Sequence, residues 1–147
     1  MADVVVLPCT MSDGASIGRL KVTSFWTDPT WAILWCGKTR EYVAEQSSLR
    51  TPRRLLERRE RARHLKAVDR RTGRTVGYAR WALPPVEGVA NLWAQAVVPA
   101  AESEEALREA ERLSGGADWR HDKAFDVLDV LAREARGRWL KPEKDIG

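Results

Sequence analysis

The sequence predicts an α+β fold, an antiparallel sheet of about three strands packed with helices. Three observations carry this. "VVVLPC" (4–9) is a short β-branched run closed by proline, which reads as a strand. "HLKAVDRRTGRTVGYARWALP" (64–84) reads as strand, turn, strand and stop. Most of the intervening and following sequence carries apolar residues at helical spacing.

After the first strand, "TMSDGASIGRLKVTSFW" places Ile17, Leu20, Val22 and Phe25 on one helical stripe, weakened by Gly14 and Gly18. "TDPTW" is a turn, with Asp28 before Pro29. A second helical region runs over 31–50, with Gly37 interrupting its middle. A further helix is expected over 51–65: Thr51 can cap it, Pro52 suits its first position, and Leu55 and Leu56 face inward. Arg53, Glu57 and Arg61 then stand at i, i+4 spacing as exposed pairs.

In the hairpin, Leu65, Ala67 and Asp69 share one face and His64, Lys66 and Val68 the other. Gly77 and Ala79 are small residues on one face, which predicts a close neighbour there. The stretch over 86–101 is partly loop. "ESEEALREAERLSGG" is a helix with Ser103 as cap, Glu104 and Glu105 at the positive end, and Ser114-Gly115-Gly116 as stop. A last helix over 118–137 has Phe125, Leu128, Leu131, Ala132 and Ala135 as its stripe and Gly137 as its C-terminal cap.

The 147 residues suit one domain, 1–147, and 44% apolar residues can supply its core. The net charge of +4 is unevenly spread. Residues 50–80 hold twelve Lys/Arg against three Asp/Glu, a balance of +9, which leaves −5 for the rest of the chain. Such asymmetry suits either a polyanion surface or a solvated helix face followed by a charged turn. Two cysteines, Cys9 and Cys36, are too few for a disulfide framework, and their apolar surroundings predict two small buried hydrophobes. No apolar run reaches membrane-spanning length and no secretory leader opens the chain, so a soluble cytoplasmic protein is expected.

Few residues announce chemistry. His64 and His121 fall in no metal-ligand spacing, so structural or surface roles are expected and no metal site. Asp122, Asp126 and Asp129 share adjoining helical turns, but Lys123 and Arg133 beside them suggest a charged face. "GASIG" lacks the lysine and spacing of a phosphate loop. "RRTGRT" has the spacing of a pyrophosphate loop but joins two strands, whereas such a loop should open a helix. Gly73 is therefore expected in a hairpin turn with positive φ. Trp26, Trp31 and Trp35 gather with Phe25 around the first interhelical turn, as core residues or, with Asp28, as the lining of an acceptor pocket.

The order strand, helix, bent helical region and hairpin resembles the N-terminal portion of a GNAT-type N-acetyltransferase, fungal type. Val68, Asp69, Thr72, Gly73, Val76, Gly77, Tyr78, Ala79, Arg80 and Trp81 match that family's "D-x-x-T-G" turn followed by "hydrophobic-V-G-[YF]-A-[RK]-W". The resemblance implies a partial fold of that type, acetyl-CoA as cofactor and an amine of unspecified identity as acceptor. It places Trp26, Asp28 and Trp31 near the acceptor as substrate-binding residues. The family's "Q/R-x-x-G-x-G/A" loop has no counterpart, and the chain stops where the strand bearing it would begin. The expectation is therefore a domain lacking its acetyl-CoA half and inactive alone, with no assigned catalytic or cofactor-binding residue.

Two other functions fit the residues. One is a non-enzymatic polyanion-binding module using Arg50, Arg53, Arg54, Arg58, Arg59, Arg61 and Arg63, with nucleic-acid binding weak because no aromatic interleaves them. The other is a degenerate interaction protein that self-associates through the edge of its third strand.

Overall fold

In the computed structural model, residues 3–84 and 88–119 are described, together with helical positions at 130, 134 and 138. Strand β1 (Val4–Pro8) leads through a 3-10 turn (Met11–Asp13) into α1 (Gly14–Phe25). Then follow α2 (Pro29–Leu34), α3 (Arg40–Leu55), β2 (Ala62–Asp69) and β3 (Thr75–Ala82). Two 3-10 turns, Val89–Asn91 and Ala94–Ala96, precede α4 (Glu104–Gly116). The sheet is antiparallel in the order β1-β2-β3, with an irregularity at Ala67/Val68. The expected α+β class and strand count are therefore observed. Among the described residues, no helix is long and apolar enough to cross a membrane.

The hairpin forms as its turn chemistry dictates. Gly73 has φ +68 and its N–H donates to the Asp69 carbonyl at 2.8 Å. An Asp69 carboxylate oxygen accepts from the Arg71 and Thr72 amides, closing the turn locally. The predicted alternation holds at His64 and Lys66 and is interrupted at Ala67/Val68. His64 and Lys66 point to the helical side, where Lys66 meets Asp13 at 2.6 Å. The close neighbour expected over Gly77 and Ala79 is not found among the described residues: a Cβ on Gly77 would meet only its ladder partner Ala67, at 3.1 Å, and Ala79 is exposed. Trp81 on that face is exposed as well.

The helix expected over 51–65 is not a separate element. α3 runs unbroken from Arg40 to Leu55, with Pro52 inside it. Its cap is Thr39, whose hydroxyl accepts from the Tyr42 amide at 3.2 Å. Thr51 is a buried interior residue donating to the Ser47 carbonyl at 2.7 Å. Pro52 stands in the last turn, where its missing N–H forgoes one i→i−4 bond, and it packs against Gly14 of α1. The helix then stops at a left-handed turn, with Arg58 at φ 53, and the strand begins at Ala62. Arg61 therefore lies outside any helix, and the expected Arg53–Glu57–Arg61 ladder does not form. Arg53 instead meets Glu111 of α4 at 3.5 Å, and Arg54 meets Glu57 at 3.1 Å.

"GASIG" has a packing role. α1 lies tightly on α3, and Cβ atoms on Gly14 and Gly18 would fall 2.5 Å from Pro52 and 2.6 Å from the Ser47 carbonyl oxygen. The facing residues Ser47, Ser48 and Thr51 are small and buried. The buried stripe of α1 is accordingly Gly14, Ile17, Gly18 and Val22. Leu20 is half-buried and Phe25 exposed.

Two core clusters result. One joins Cys9, Ile17, Leu55 and Val98, with Leu56 and Tyr78 against it. The other joins Val22, Trp35 and Val43, with Trp26, Trp31, Leu34 and Trp119 against it. Cys9 is buried as expected; Cys36 is exposed, because the turn after α2 carries it outward. Ser103 caps α4 through the Ala106 amide, as predicted. The helix expected over 118–137, with its stripe and the Asp122, Asp126, Asp129 group, falls mostly outside the described residues. Val130 and Glu134 are helical, and so is Arg138 beyond the expected cap at Gly137.

Candidate functional site

The helical face of the hairpin builds a polar pocket. Strand alternation puts Tyr78 and Arg80 on the face of β3 that looks toward α1, and the register pairs His64 of β2 with Arg80. α1 brings Leu20, Lys21, Ser24 and Phe25 over the same face. α3 contributes Thr51 and Arg54, and the turn after it Glu57. Between these elements lie a polar cavity of about 80 Å³ and a larger groove of about 400 Å³. The two share Lys21, Tyr78 and Arg80. The groove's other walls are Leu20, Ser24, Phe25, Val76 and Gly77, so it is mainly apolar away from the shared cations.

The cavity is electropositive. Lys21 is held below the usual lysine range, first by burial, then by the guanidinium groups of Arg50, Arg54 and Arg80. Arg54 has Glu57 as counter-ion, and Arg50 lies over the Trp119 ring at 5.1 Å. Neither Lys21 nor Arg80 has an ion-pair partner among the described residues.

His64 stands at the base of this cavity, only 2% exposed. Its Nδ1 pairs with the Tyr78 hydroxyl at 2.8 Å, while the buried Nε2 has no hydrogen-bond partner. Burial, then the charges of Arg80 and Lys21, push the imidazole down to about 4, so it is neutral at pH 7. Tyr78 is pushed up to about 12, chiefly by burial. In the neutral imidazole the tautomer sets the roles: with the Tyr78 hydroxyl donating to Nδ1, the ring hydrogen is on Nε2, and with Nδ1–H donating to Tyr78, Nε2 presents its lone pair.

The residues expected at an acceptor site lie beside this region. Asp28 accepts from the Thr30 and Trp31 amides at 2.8 and 3.3 Å, so its carboxylate caps α2. Trp26 and Trp31 pack on the second core cluster. Trp31 also stacks on Phe25 at 5.8 Å, and Phe25 lines the groove. The 26–31 turn thus continues from the groove's wall. His64, Lys21 and Arg80 were not singled out as site residues by sequence. Their convergence depends on α1 crossing β3, which no local spacing signals.

The basic stretch is largely occupied within the fold. Arg63, expected at a polyanion surface, is buried and donates to the carbonyls of Ala90, Leu92, Arg59 and Ala62. Arg59 and Arg61 donate to the carbonyls of Val98 and Leu83. The bonds to Leu83, Ala90, Leu92 and Val98 tie the described residues after β3 to β2 and the turn before it, satisfying those carbonyls.

No protein-family model, no curated protein and no solved structure matches this chain.

Proposed function

We propose that this chain is the acceptor-binding portion of an N-acetyltransferase of the GNAT type, holding an amine-bearing small molecule in the groove between α1 and β3. The observation that supports it is topological. The helices α1 to α3 are inserted between β1 and β2 of an antiparallel β1-β2-β3 sheet, with α1 lying over the face that carries Tyr78 and Arg80 and α3 packed on α1. That arrangement accords with the resemblance in the hairpin and leaves a groove beginning at the 26–31 turn. The cationic end of the groove also suits an amine nucleophile, because nearby positive charge disfavours the ammonium form. An amine must be neutral to attack a carbonyl carbon.

Acetyl-CoA is the acyl donor this reading implies, and the glycines described here do not fit it. Gly14 and Gly18 are packed against α3, and Gly73 closes a hairpin. Asp13 stands at the start of α1, where its carboxylate would repel a pyrophosphate. No step of acyl transfer is therefore assigned to these residues, whose part is to hold the acceptor.

The test is calorimetry of the purified chain with acetyl-CoA and with a panel of primary amines, alongside a thiol-release assay. The expected result is saturable binding of an amine that shifts the resonances of Leu20, Phe25 and Tyr78, without acetyl-CoA binding or thiol release. Saturable micromolar acetyl-CoA binding with turnover would overturn the division of roles. Failure of every amine to shift those resonances would remove the acceptor site.

A second reading, self-association through β3, has one observation in its favour. The outer edge of β3 carries no strand among the described residues, and Val76 and Trp81 are about half exposed. Concentration-dependent dimerisation abolished by a proline at Val76 would support it.

A further inference from the structure

We propose that the cavity walled by α1, α3, β2 and β3 is an anion site, in which Lys21, Arg80 and Arg54 hold a carboxylate or phosphoryl head group, His64 Nε2–H donates to it, and the ligand's apolar body lies along the groove. The proposal shares the groove with the acceptor reading but needs no amine and no acyl transfer, so the two fail separately.

Charge gives the first argument. Four cations, Lys21, Arg50, Arg54 and Arg80, act on this region from three elements, against the single carboxylate of Glu57 in the cavity wall. Glu57 lies 3.1 Å from Arg54 and so offsets one of them. Uncompensated cations raise one another's cost, and a largely buried lysine without a carboxylate is expensive unless something negative joins it.

The orphaned imidazole nitrogen is the independent second argument. His64 Nε2 is buried, has no partner, and belongs to a side chain that lines the cavity. A buried polar atom left unpaired costs roughly 1–3 kcal/mol, which a bound acceptor atom would recover. With the Tyr78 hydroxyl donating to Nδ1, the tautomer this proposal takes, the proton is on Nε2 and the missing partner is a hydrogen-bond acceptor, as an anion's oxygen is.

Size and shape set the ligand class. A cavity of about 80 Å³ has the space of roughly two or three waters, which suits one head group and excludes a nucleotide. The adjoining groove, about 400 Å³ with Leu20, Phe25 and Val76 in its walls, is in the range of small-molecule pockets. Sharing Lys21, Tyr78 and Arg80, the two volumes match a small amphipathic anion rather than an extended polyanion.

The experiment titrates the full chain with sodium hexanoate, hexyl phosphate, inorganic phosphate and neutral hexanol. Affinities are read by calorimetry, and the His64 ring nitrogens by ¹⁵N NMR. One of the two amphipathic anions should bind at least about tenfold more tightly than hexanol, and the tighter one identifies the head group. Lys21→Met and Arg80→Gln should each weaken it about tenfold or more, and the His64 Nε2 signal should move on binding. Arg80 is exposed, so Arg80→Gln keeps the test valid if Lys21→Met folds poorly. Equal affinity for hexanol and both anions, an unchanged affinity in Arg80→Gln, or no saturation by either anion below about 10 mM would overturn the proposal.

Discussion

Acidification should destabilise this protein, and among the described residues the loss between pH 6.5 and 4.5 runs through His64. The imidazole is 2% exposed, and burial and neighbouring cations hold it down to about 4 from its ordinary 6.5. Between those two values the unfolded chain binds a proton that the native protein refuses. Stability therefore falls as pH drops from 6.5 to 4 and levels off below. The gap, at ~1.4 kcal/mol per pH unit, amounts to ~3 kcal/mol, a large share of the 5–15 kcal/mol typical of a domain. Other groups leave most of this window clear. Asp13 gains from Lys66 and Thr10 more than burial costs it, so its folded value lies below 3.8. Its contribution is present above 3.8 and lost only as pH falls through that lower value. Glu41 and Glu109 are likewise held below 4.5. Among the described residues, the interval from 6.5 to 4.5 thus belongs to His64. Urea unfolding followed by tryptophan fluorescence at stepped pH should show the decline in the natural protein. In His64→Gln, which cannot titrate but can still bond to Tyr78, the same interval should be nearly flat. Parallel profiles for the two proteins, or an NMR titration of His64 centred near 6.5, would refute the assignment of a buried neutral imidazole.

Three further outcomes follow from the packing. Gly18→Ala should cost ~2 kcal/mol or more, because its Cβ would meet the Ser47 carbonyl oxygen at 2.6 Å, whereas Gly73→Ala should cost ~1–2 kcal/mol through its φ of +68 alone; urea denaturation ranks the pair, and a harmless Gly18→Ala would refute the close approach of α1 to α3. Iodoacetamide at pH 8 should label the exposed Cys36 first, while the Cys9 thiol, buried and pushed up to about 11, should react only after unfolding; peptide mass spectrometry gives the order, and early labelling of Cys9 would contradict its burial. Asp28→Ala should lower stability by ~1 kcal/mol by uncapping α2, and a variant as stable as the natural protein would mean that the two amide bonds add nothing.

Where residues act on near neighbours in the chain, the sequence by itself determined the outcome. The β1 run, the Asp69–Gly73 turn, the alternation at His64 and Lys66 and the Ser103 cap all depend on local φ/ψ preference and side-chain-to-backbone bonds. Tertiary structure decided the rest. Thr51-Pro52 carries a sound local signal for a helix start, yet α3 continues through it because Thr51 and Pro52 pack against α1. Gly14 and Gly18 look like helix weakeners until α3 lies within contact of them. Arg63 looks like a surface charge until the 88–96 segment surrounds it with carbonyls. The cavity at Lys21, His64 and Arg80 joins three elements distant in sequence, so no spacing announces it. Periodicity records which face a residue occupies; which element covers that face is set by chain crossing, and burial and electrostatic coupling follow from the crossing.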